Sequence, residues 1–366
     1  MTWKKLLELR KEWSKRYDAY LLYKPEAWIS SDMRYLTGFT GSTAIFLQTR
    51  RRNFIFVDFR YKTQVRQEVK EGITVVDVPP GESVVEFLAG KLASLKVKSI
   101  AVEGNAPVSF LKALRKATAG KRMRFYTVSG LVSRLRVIKE RGEIERIREA
   151  QRLTDDLFNW ILDNVRPGKM TEKELAFEME VWARRNGADG MSFSPIVAGN
   201  ERSAMPHMRP TDNLIPERGV LLLDFGLRVN GYVSDMTRTV WIGKRVPSEF
   251  RKAYEVVLEA QKRAIDRLHF SGKRSAKEVD AAAREYIEST EVKGTFGHGL
   301  GHGVGMDVHE APSLSPKSEY VLRGGEVVTV EPGIYLEGKF GIRIEDIVVA
   351  GKGENLTGSP KELIRL

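Results

Sequence analysis

No cysteine occurs anywhere in the 366 residues. That absence removes disulfides, thiolate zinc sites and cysteine nucleophiles together. Histidine is nearly as scarce, with five in the whole chain, so the position of each is informative. No apolar run is long enough to span a bilayer, and the opening MTWKKLLELRKEWSKRYDAY spaces Trp3, Leu6, Leu7 and Trp13 between charges. Such spacing predicts an amphipathic helix and lacks the apolar core of a signal peptide, so the expected location is the cytoplasm, with no membrane partner. Missing motifs exclude further classes. Asp224-Phe225-Gly226 imitates the magnesium motif of protein kinases, but no H-R-D segment and no glycine-rich loop with a strand lysine accompany it. The glycines between Gly297 and Gly305 do not fit G-x-G-x-x-G, and neither Ser42 nor Ser234 stands in a nucleophile elbow. Kinase, dehydrogenase and serine-hydrolase chemistry therefore lack support.

Charge is plentiful but unevenly spread. Residues 1 to 130 carry 24 Lys plus Arg against 12 Asp plus Glu, whereas the remainder is balanced at 36 of each. The asymmetry predicts a boundary between domains 1–130 and 131–366. The basic half carries no recognised binding module, so its charge reads as a solvated or docking surface and no nucleic-acid partner is expected. Apolar runs at Thr43 to Gln48 and Asn53 to Asp58 flank Arg50-Arg51-Arg52, which reads as a hairpin turn. Helical spacing over Tyr61 to Val69 and Ser83 to Leu95, a strand at Ser99 to Val102 and a helical SFLKALRKA then predict an α/β layer.

From Glu140 the texture becomes that of a long amphipathic helix, with Ile144, Ile147, Leu157 and Ile161 on one face. The helix ending in VRPGK and the cap Thr171-Glu172-Lys173-Glu174 have an echo in EAQKRAIDRL, FSGK and the cap Ser275-Ala276-Lys277-Glu278. Both caps match the S/T-x-x-E capping box. Each half then runs into strands, so the fold class is α+β: two duplicated helix-helix-hairpin units related by a pseudo-twofold, with a site at their seam.

Five residues of this second domain are suited to one metal cage: Asp224, Asp235, His302, Glu331 and Glu345. Four carboxylates around one imidazole make a hard, oxygen-rich site that suits two divalent ions, Mn first, with Co or Zn also admitted. Asn230-Gly231 centres the first hairpin; if that turn sets the register, Arg228 pairs with Val233 and Gly226 with Asp235. Asp224 and Asp235 then lie diagonally on one face. Glu331 and Glu345 are equidistant from Gly338, at the bend of a second hairpin. Asp224 follows Val220-Leu221-Leu222-Leu223, and carboxylates beside such runs risk costly burial unless a cation joins them. Three histidines crowd FGHGLGHGVGMDVHEAP, His298, His302 and His309, and His207 stands in MPHMRP. Gly299 and Gly301 oppose a helix between His298 and His302, so an extended or looped segment is expected. Only one of these histidines is needed for metal, which leaves the others for substrate and transition state. The fifth, His269, ends a helix and reads as a favourable charge at a C-terminus.

DFG followed by SDMTRT, GHGVG with a histidine seven residues on, EPGIY and GIRIED together resemble the ordered signature of the aminopeptidase P and prolidase group of family M24. MRYLTGFTGSTAIFL with VDFRY is similar to the creatinase-type N-terminal domain, so the resemblance covers nearly the whole chain. It implies a pita-bread catalytic domain behind an α/β N-terminal domain. Asp224 would bind one ion, Asp235 and Glu345 would bridge, and His302 with Glu331 would complete the second. His207, His298 and His309 match positions that line the family's substrate site, and Arg343 matches an arginine beside the last ligand. Creatinase works without metal and histone-chaperone relatives have lost ligands, whereas all five stand here; a non-enzymatic binding module is the distant alternative.

The activity so implied is hydrolysis of the bond before proline in a short peptide with proline second, by an Xaa-Pro aminopeptidase. His207 or His309 would stabilise the oxyanion and Glu331 would relay a proton to the leaving nitrogen. A dipeptidase is the near alternative, for which a cation such as Arg209 or Arg343 would hold the free carboxylate. Family members are often homodimers, and a homodimer is expected.

Overall fold

The computed structural model describes residues 2–26 and 31–366. The chain divides into two compact units, Met1–Arg136 and Val137–Leu366. In the first, helix α1 (Thr2–Trp13) buries Leu6, Leu9 and Trp13, while Leu7 stays exposed. The inward face therefore runs through Leu9 and not through Leu7, as i, i+3 spacing from Leu6 requires; the side chain of Trp3 lies outside the described ones. Strands β1 (Ala19–Lys24), β2 (Ala44–Thr49), β3 (Asn53–Val57), β4 (Thr74–Asp77), β5 (Ser99–Glu103) and β6 (Arg124–Val128) form one sheet in the order β4-β3-β2-β1-β5-β6. Pairing is antiparallel from β1 to β3 and parallel outside them. The arginine triplet makes the β2–β3 turn, with Gln48 opposite Asn53. Helices α2 (Asp32–Thr37), α3 (Lys62–Glu68), α4 (Val84–Ser94), α5 (Val108–Ala117) and α6 (Leu131–Val137) complete an α/β layer.

The second unit repeats one order of elements. Helices α7 (Arg141–Asn164) and α8 (Glu172–Arg185) precede β7 (Gly190–Met191), β8 (Ile196–Gly199), β9 (Gly219–Phe225), β10 (Leu227–Val229), β11 (Tyr232–Val233) and β12 (Met236–Ile242). Helix α9 (Ser248–Leu268), β13 (Arg274–Ser275) and α10 (Ala276–Glu288) precede β14 (Gly301–Gly303), β15 (Glu310–Leu314), β16 (Val321–Leu322), β17 (Val327–Val330), β18 (Gly333–Leu336), β19 (Phe340–Arg343), β20 (Asp346–Val349) and β21 (Glu354–Asn355). Each half buries one stripe of its long helix: Ile147, Ala150, Leu157, Phe158 and Ile161 on α7, and Phe250, Ala253, Val257, Ala260, Ala264 and Leu268 on α9. Ile144 is only half-buried, and Glu143 takes the inward place because it serves the capping box with Glu140 and receives the Tyr232 hydroxyl at 2.9 Å. The Thr171/Glu174 capping box forms on α8. Its echo does not: Ser275 occupies the N-cap of α10 without a side-chain cap bond. The entry is held instead by backbone, with Ala276 N donating to Tyr320 O at 3.0 Å and β13 pairing with β16.

Both hairpins keep a single register through an interruption, and three of the four acids sit at the interruptions. In the first, β10 pairs with β11 around Asn230 (φ 51°) and Gly231 (φ 81°), the left-handed pair of a two-residue turn. The same register continues in β9 and β12, where Phe225 faces Met236 and Asp224 faces Thr237. Between the two stretches lie Gly226 and Asp235. In the second, Gly333 faces Arg343 in β18–β19 and Val330 faces Asp346 in β17–β20, leaving Glu331 and Glu345 in the gap. Threonines of β12 join the hairpins: Glu345 N donates to Thr237 O (3.1 Å) and Arg343 N to Thr239 Oγ1 (3.1 Å). Four acids from two hairpins are thereby gathered at one place.

Candidate active site

A cavity of about 340 Å³ opens where the hairpins meet, and nine of the ten site candidates singled out from the sequence line it: His207, Asp224, Asp235, His298, His302, His309, Glu331, Arg343 and Glu345. Asp235, His302 and Glu345 each turn one ligand atom inward, the three atoms lying within 4.8 Å of one another. Glu331 adds Oε1 at 3.4 Å from His302 Nε2, and Asp235 Oδ2 lies 3.7 Å from the same nitrogen. The imidazole is oriented by its other nitrogen. His302 Nδ1 faces Gly303 O at 3.1 Å, and since a carbonyl only accepts, Nδ1 carries the hydrogen. The Nε2 lone pair therefore points at carboxylate oxygens, an arrangement that repels until a cation enters it.

Electrostatics say the same. Burial, followed by the charges of Asp224 and Glu331, pushes the Asp235 carboxyl well above the ordinary range. Burial, followed by the charges of Asp235, Glu331 and Asp224, does so for Glu345. Burial pushes Glu331 up to about 8, against the pull of Arg343. Burial and neighbouring His309 lower His302 to about 4, so its lone pair is free at neutral pH. Asp224 Oδ1 is buried with no hydrogen-bond partner, although its other oxygen receives Arg343 Nη2 at 2.6 Å. An orphaned oxygen, crowded acids and an aimed lone pair fit a divalent metal centre.

Around the acids lies a network that the sequence reading missed. Thr237 Oγ1 donates to Glu345 Oε2 at 2.7 Å and receives Arg343 Nε at 2.9 Å. Tyr335 Oη lies 2.8 Å from both Arg343 Nη1 and His298 Nε2. Thr329 Oγ1 receives His302 N at 3.0 Å and donates to Glu331 Oε1 at 3.3 Å. Strand alternation carried the signal, because Glu331, Gly333 and Tyr335 share one parity, as do Asp235, Thr237 and Thr239. Arg343 is thus tied to Asp224, Thr237 and Tyr335. Arg209 is exposed and outside the cavity lining, and His269 caps α9 with Nδ1 at 2.9 Å from Lys352 O.

His207 is carried by a loop fixed at its ends. Glu172, the buried first residue of α8, accepts from Gly199 N (3.1 Å), Arg202 Nε and Nη2 (3.1 Å each), Thr211 N (3.0 Å) and Thr211 Oγ1 (2.9 Å). Pro206 O receives Arg343 Nη1 at 3.4 Å, which ties the loop to the acid cluster. The imidazole itself remains exposed. His309 packs against His302 with ring centres 4.1 Å apart and planes tilted by 45°, and burial lowers its pKa. Phe193, Ile196, Pro206 and Val308 supply an apolar wall.

Fold and site together define a metal-dependent hydrolase. Residues 145–352 match the model of metallopeptidase family M24, and residues 4–138 match that of the creatinase/prolidase N-terminal domain. An Xaa-Pro dipeptidase of Pyrococcus horikoshii is 38% identical over 73% of this chain and 75% of its own. Among solved structures, an Xaa-Pro dipeptidase from Bacillus anthracis is 34% identical with a TM-score of 0.92, covering 100% of both chains. An X-Pro aminopeptidase from Thermotoga maritima is 36% identical with a TM-score of 0.88, covering 96% of this chain and 98% of its own. The chain belongs to metallopeptidase family M24, with a creatinase-type N-terminal domain ahead of the catalytic one.

Proposed function

We propose that this enzyme is an Xaa-Pro aminopeptidase, hydrolysing the bond before proline at the N-terminus of short peptides, with two divalent ions, Mn first, held by Asp224, Asp235, His302, Glu331 and Glu345. One observation supports the reading most: the four acids, oriented imidazole and apolar wall share one cavity. When bound, such ions supply Lewis acidity and lower the pKa of water. The remaining work falls to the chain. His302 keeps its lone pair on the acids through the Nδ1 contact to Gly303 O. Glu331, held by Thr329 Oγ1, carries a proton to the leaving nitrogen. His309, neutral at pH 7 because burial lowers its pKa, donates an N–H to the developing oxyanion, with His207 on the facing loop as the second donor. Phe193, Ile196, Pro206 and Val308 suit a pyrrolidine ring, whose nitrogen in the substrate has no N–H to satisfy.

The choice of aminopeptidase over dipeptidase rests on charge. Arg343 is the one permanent cation among the described lining residues, and four of its five N–H donors are taken by Asp224, Tyr335, Thr237 and Pro206 O. It serves better as a wall of the site than as an anchor for a free carboxylate. Comparing Ala-Pro with Ala-Pro-Ala tests this directly: the tripeptide is expected to be cleaved with the higher kcat/KM, and cleavage of the dipeptide alone would establish the dipeptidase reading. For the metal centre, chelated and reconstituted protein is expected to regain activity with about two equivalents of Mn. Asp235→Ala is expected to retain fewer, and full activity without metal would remove the proposal.

A further inference from the structure

His298 sits on a segment, Phe296 to Leu300, that has no strand of its own and leads into β14. Two residues of α10 grip it from behind. Asp280, 1% exposed, receives Arg284 Nε and Nη2 at 2.8 Å each, a fork on one helix face at i, i+4 spacing. The same carboxylate receives Leu300 N at 3.1 Å. Arg284 in turn donates Nη1 to Phe296 O at 2.8 Å and Nη2 to His298 O at 2.7 Å. Its guanidinium carbon lies 4.3 Å from the centre of the Phe296 ring, and that ring meets the His298 imidazole edge-on, centres 5.0 Å apart at 83°. Backbone before, at and after the histidine is thus held by one carboxylate-guanidinium pair, and neither member of it lines the cavity.

The ring of His298 is fixed as firmly. Its Nδ1 donates to Gly299 O at 2.8 Å, which leaves Nε2 to accept from Tyr335 Oη at 2.8 Å. Both nitrogens are therefore satisfied within the chain, and the face of the ring is what remains for a ligand. A face in van der Waals contact works only if its position is fixed, because it has no directional bond with which to correct a displacement.

We propose that Asp280 and Arg284 are positioning residues that hold the His298 ring as a surface of the peptide site, so that affinity for the peptide depends on a pair that never touches it. The inference rests on the reading that His298 contacts substrate. His302, four residues on, is held separately by the β14 ladder and by Thr329 Oγ1, so the metal centre should not follow His298 when the pair is broken.

The test uses the full-length, metal-loaded enzyme. Arg284→Met is expected to raise KM for Ala-Pro-Ala about tenfold with kcat within about threefold, the signature of lost ground-state binding. Metal content is expected to stay at the wild-type value. Arg284→Lys should not restore KM, since one ammonium cannot replace a fork that serves two carbonyls and a carboxylate. The double variant Arg284→Met with His298→Ala should have a KM within about twofold of His298→Ala alone, because both changes remove the same interaction. Hydrogen exchange supplies a readout independent of catalysis, and amides of residues 296–301 should exchange faster while those of 199–211 do not. Asp280→Asn, which keeps the shape of the side chain, carries the same expectations if Arg284→Met does not fold. Multiplying effects in the double variant, loss of metal along with the rise in KM, or unchanged exchange would each overturn the proposal. Should the wild type cleave no Xaa-Pro peptide, the functional reading falls and exchange alone decides the positioning role.

Discussion

At the scale of single residues, the centre is defined by groups that are uncomfortable without a cation. The discomfort has a measurable sign. Glu331 has a folded-state pKa of about 8 against an ordinary 4.5, and Asp235 and Glu345 are raised in the same direction. An acid with a raised folded pKa binds more protons folded than unfolded, so its contribution is present at low pH and is lost as pH rises. His298 and His302, lowered to about 4 by burial, act with the opposite sign below their ordinary 6.5, so chelated protein should lose thermal stability from pH 6.5 towards pH 8, the part of the Glu331 window they leave clear. Carboxylates of the opposite kind, such as Asp18, held down by Ser99 and Lys98 amides against the effect of burial, act below an ordinary value of 3.8 and do not mask that slope. Divalent metal should flatten it, because the ions take the place of the protons. Calorimetry with and without Mn measures both, and stability of the chelated protein that rises across the window would contradict the charge crowding. The histidines were legible because so few exist and because glycines excluded a helix between them. Tyr335 and Thr237 were not, since an aromatic or β-branched residue in a strand is by default a packing residue.

At the scale of elements, the acids are placed by hairpins whose register was readable and whose interruptions were not. Asn230-Gly231 fixes the first register through two left-handed residues, and period-2 alternation carries it back to Asp224. Nothing in a periodic pattern announces that the ladder lapses at Asp235 or between Glu331 and Glu345. The Ser275 cap shows the opposite failure: the motif is present, yet a tertiary strand pair does the work. Glu172 was legible only as part of a cap, whereas its buried carboxylate anchors both ends of the His207 loop. Glu172→Gln replaces one accepting oxygen by a donor that faces other donors, which should cost about 1–3 kcal/mol of stability. The loop should loosen with it, lowering kcat/KM for Ala-Pro-Ala about tenfold while metal content is kept. Thermal melts, metal analysis and steady-state kinetics on the one variant separate these effects. Unchanged kinetics in a destabilised protein would make Glu172 a stability residue only.

At the scale of the whole molecule, composition makes a prediction that no single contact does. Residues 1 to 130 hold twice as many basic as acidic residues, and the rest, balanced at 36 of each, carries no net charge to repel a basic partner. If two copies associate, joining basic units to one another would meet repulsion, while joining a basic unit to the acid-bearing surface of the other copy would meet attraction. Salt distinguishes the arrangements because screening acts on both with opposite sign. Between about 0.1 M and about 1 M salt the Debye length falls from about 10 Å to about 3 Å, which removes most of either contribution between exposed charges. A homodimer built on basic-to-acidic contact should dissociate more readily as salt rises, seen by light scattering as a dissociation constant that increases across that range. A dimer that tightens with salt would place like faces together and reverse the arrangement. A monomer at both concentrations would remove the dimer itself, and with it any need for the positive charge of the first unit to be answered by a second copy.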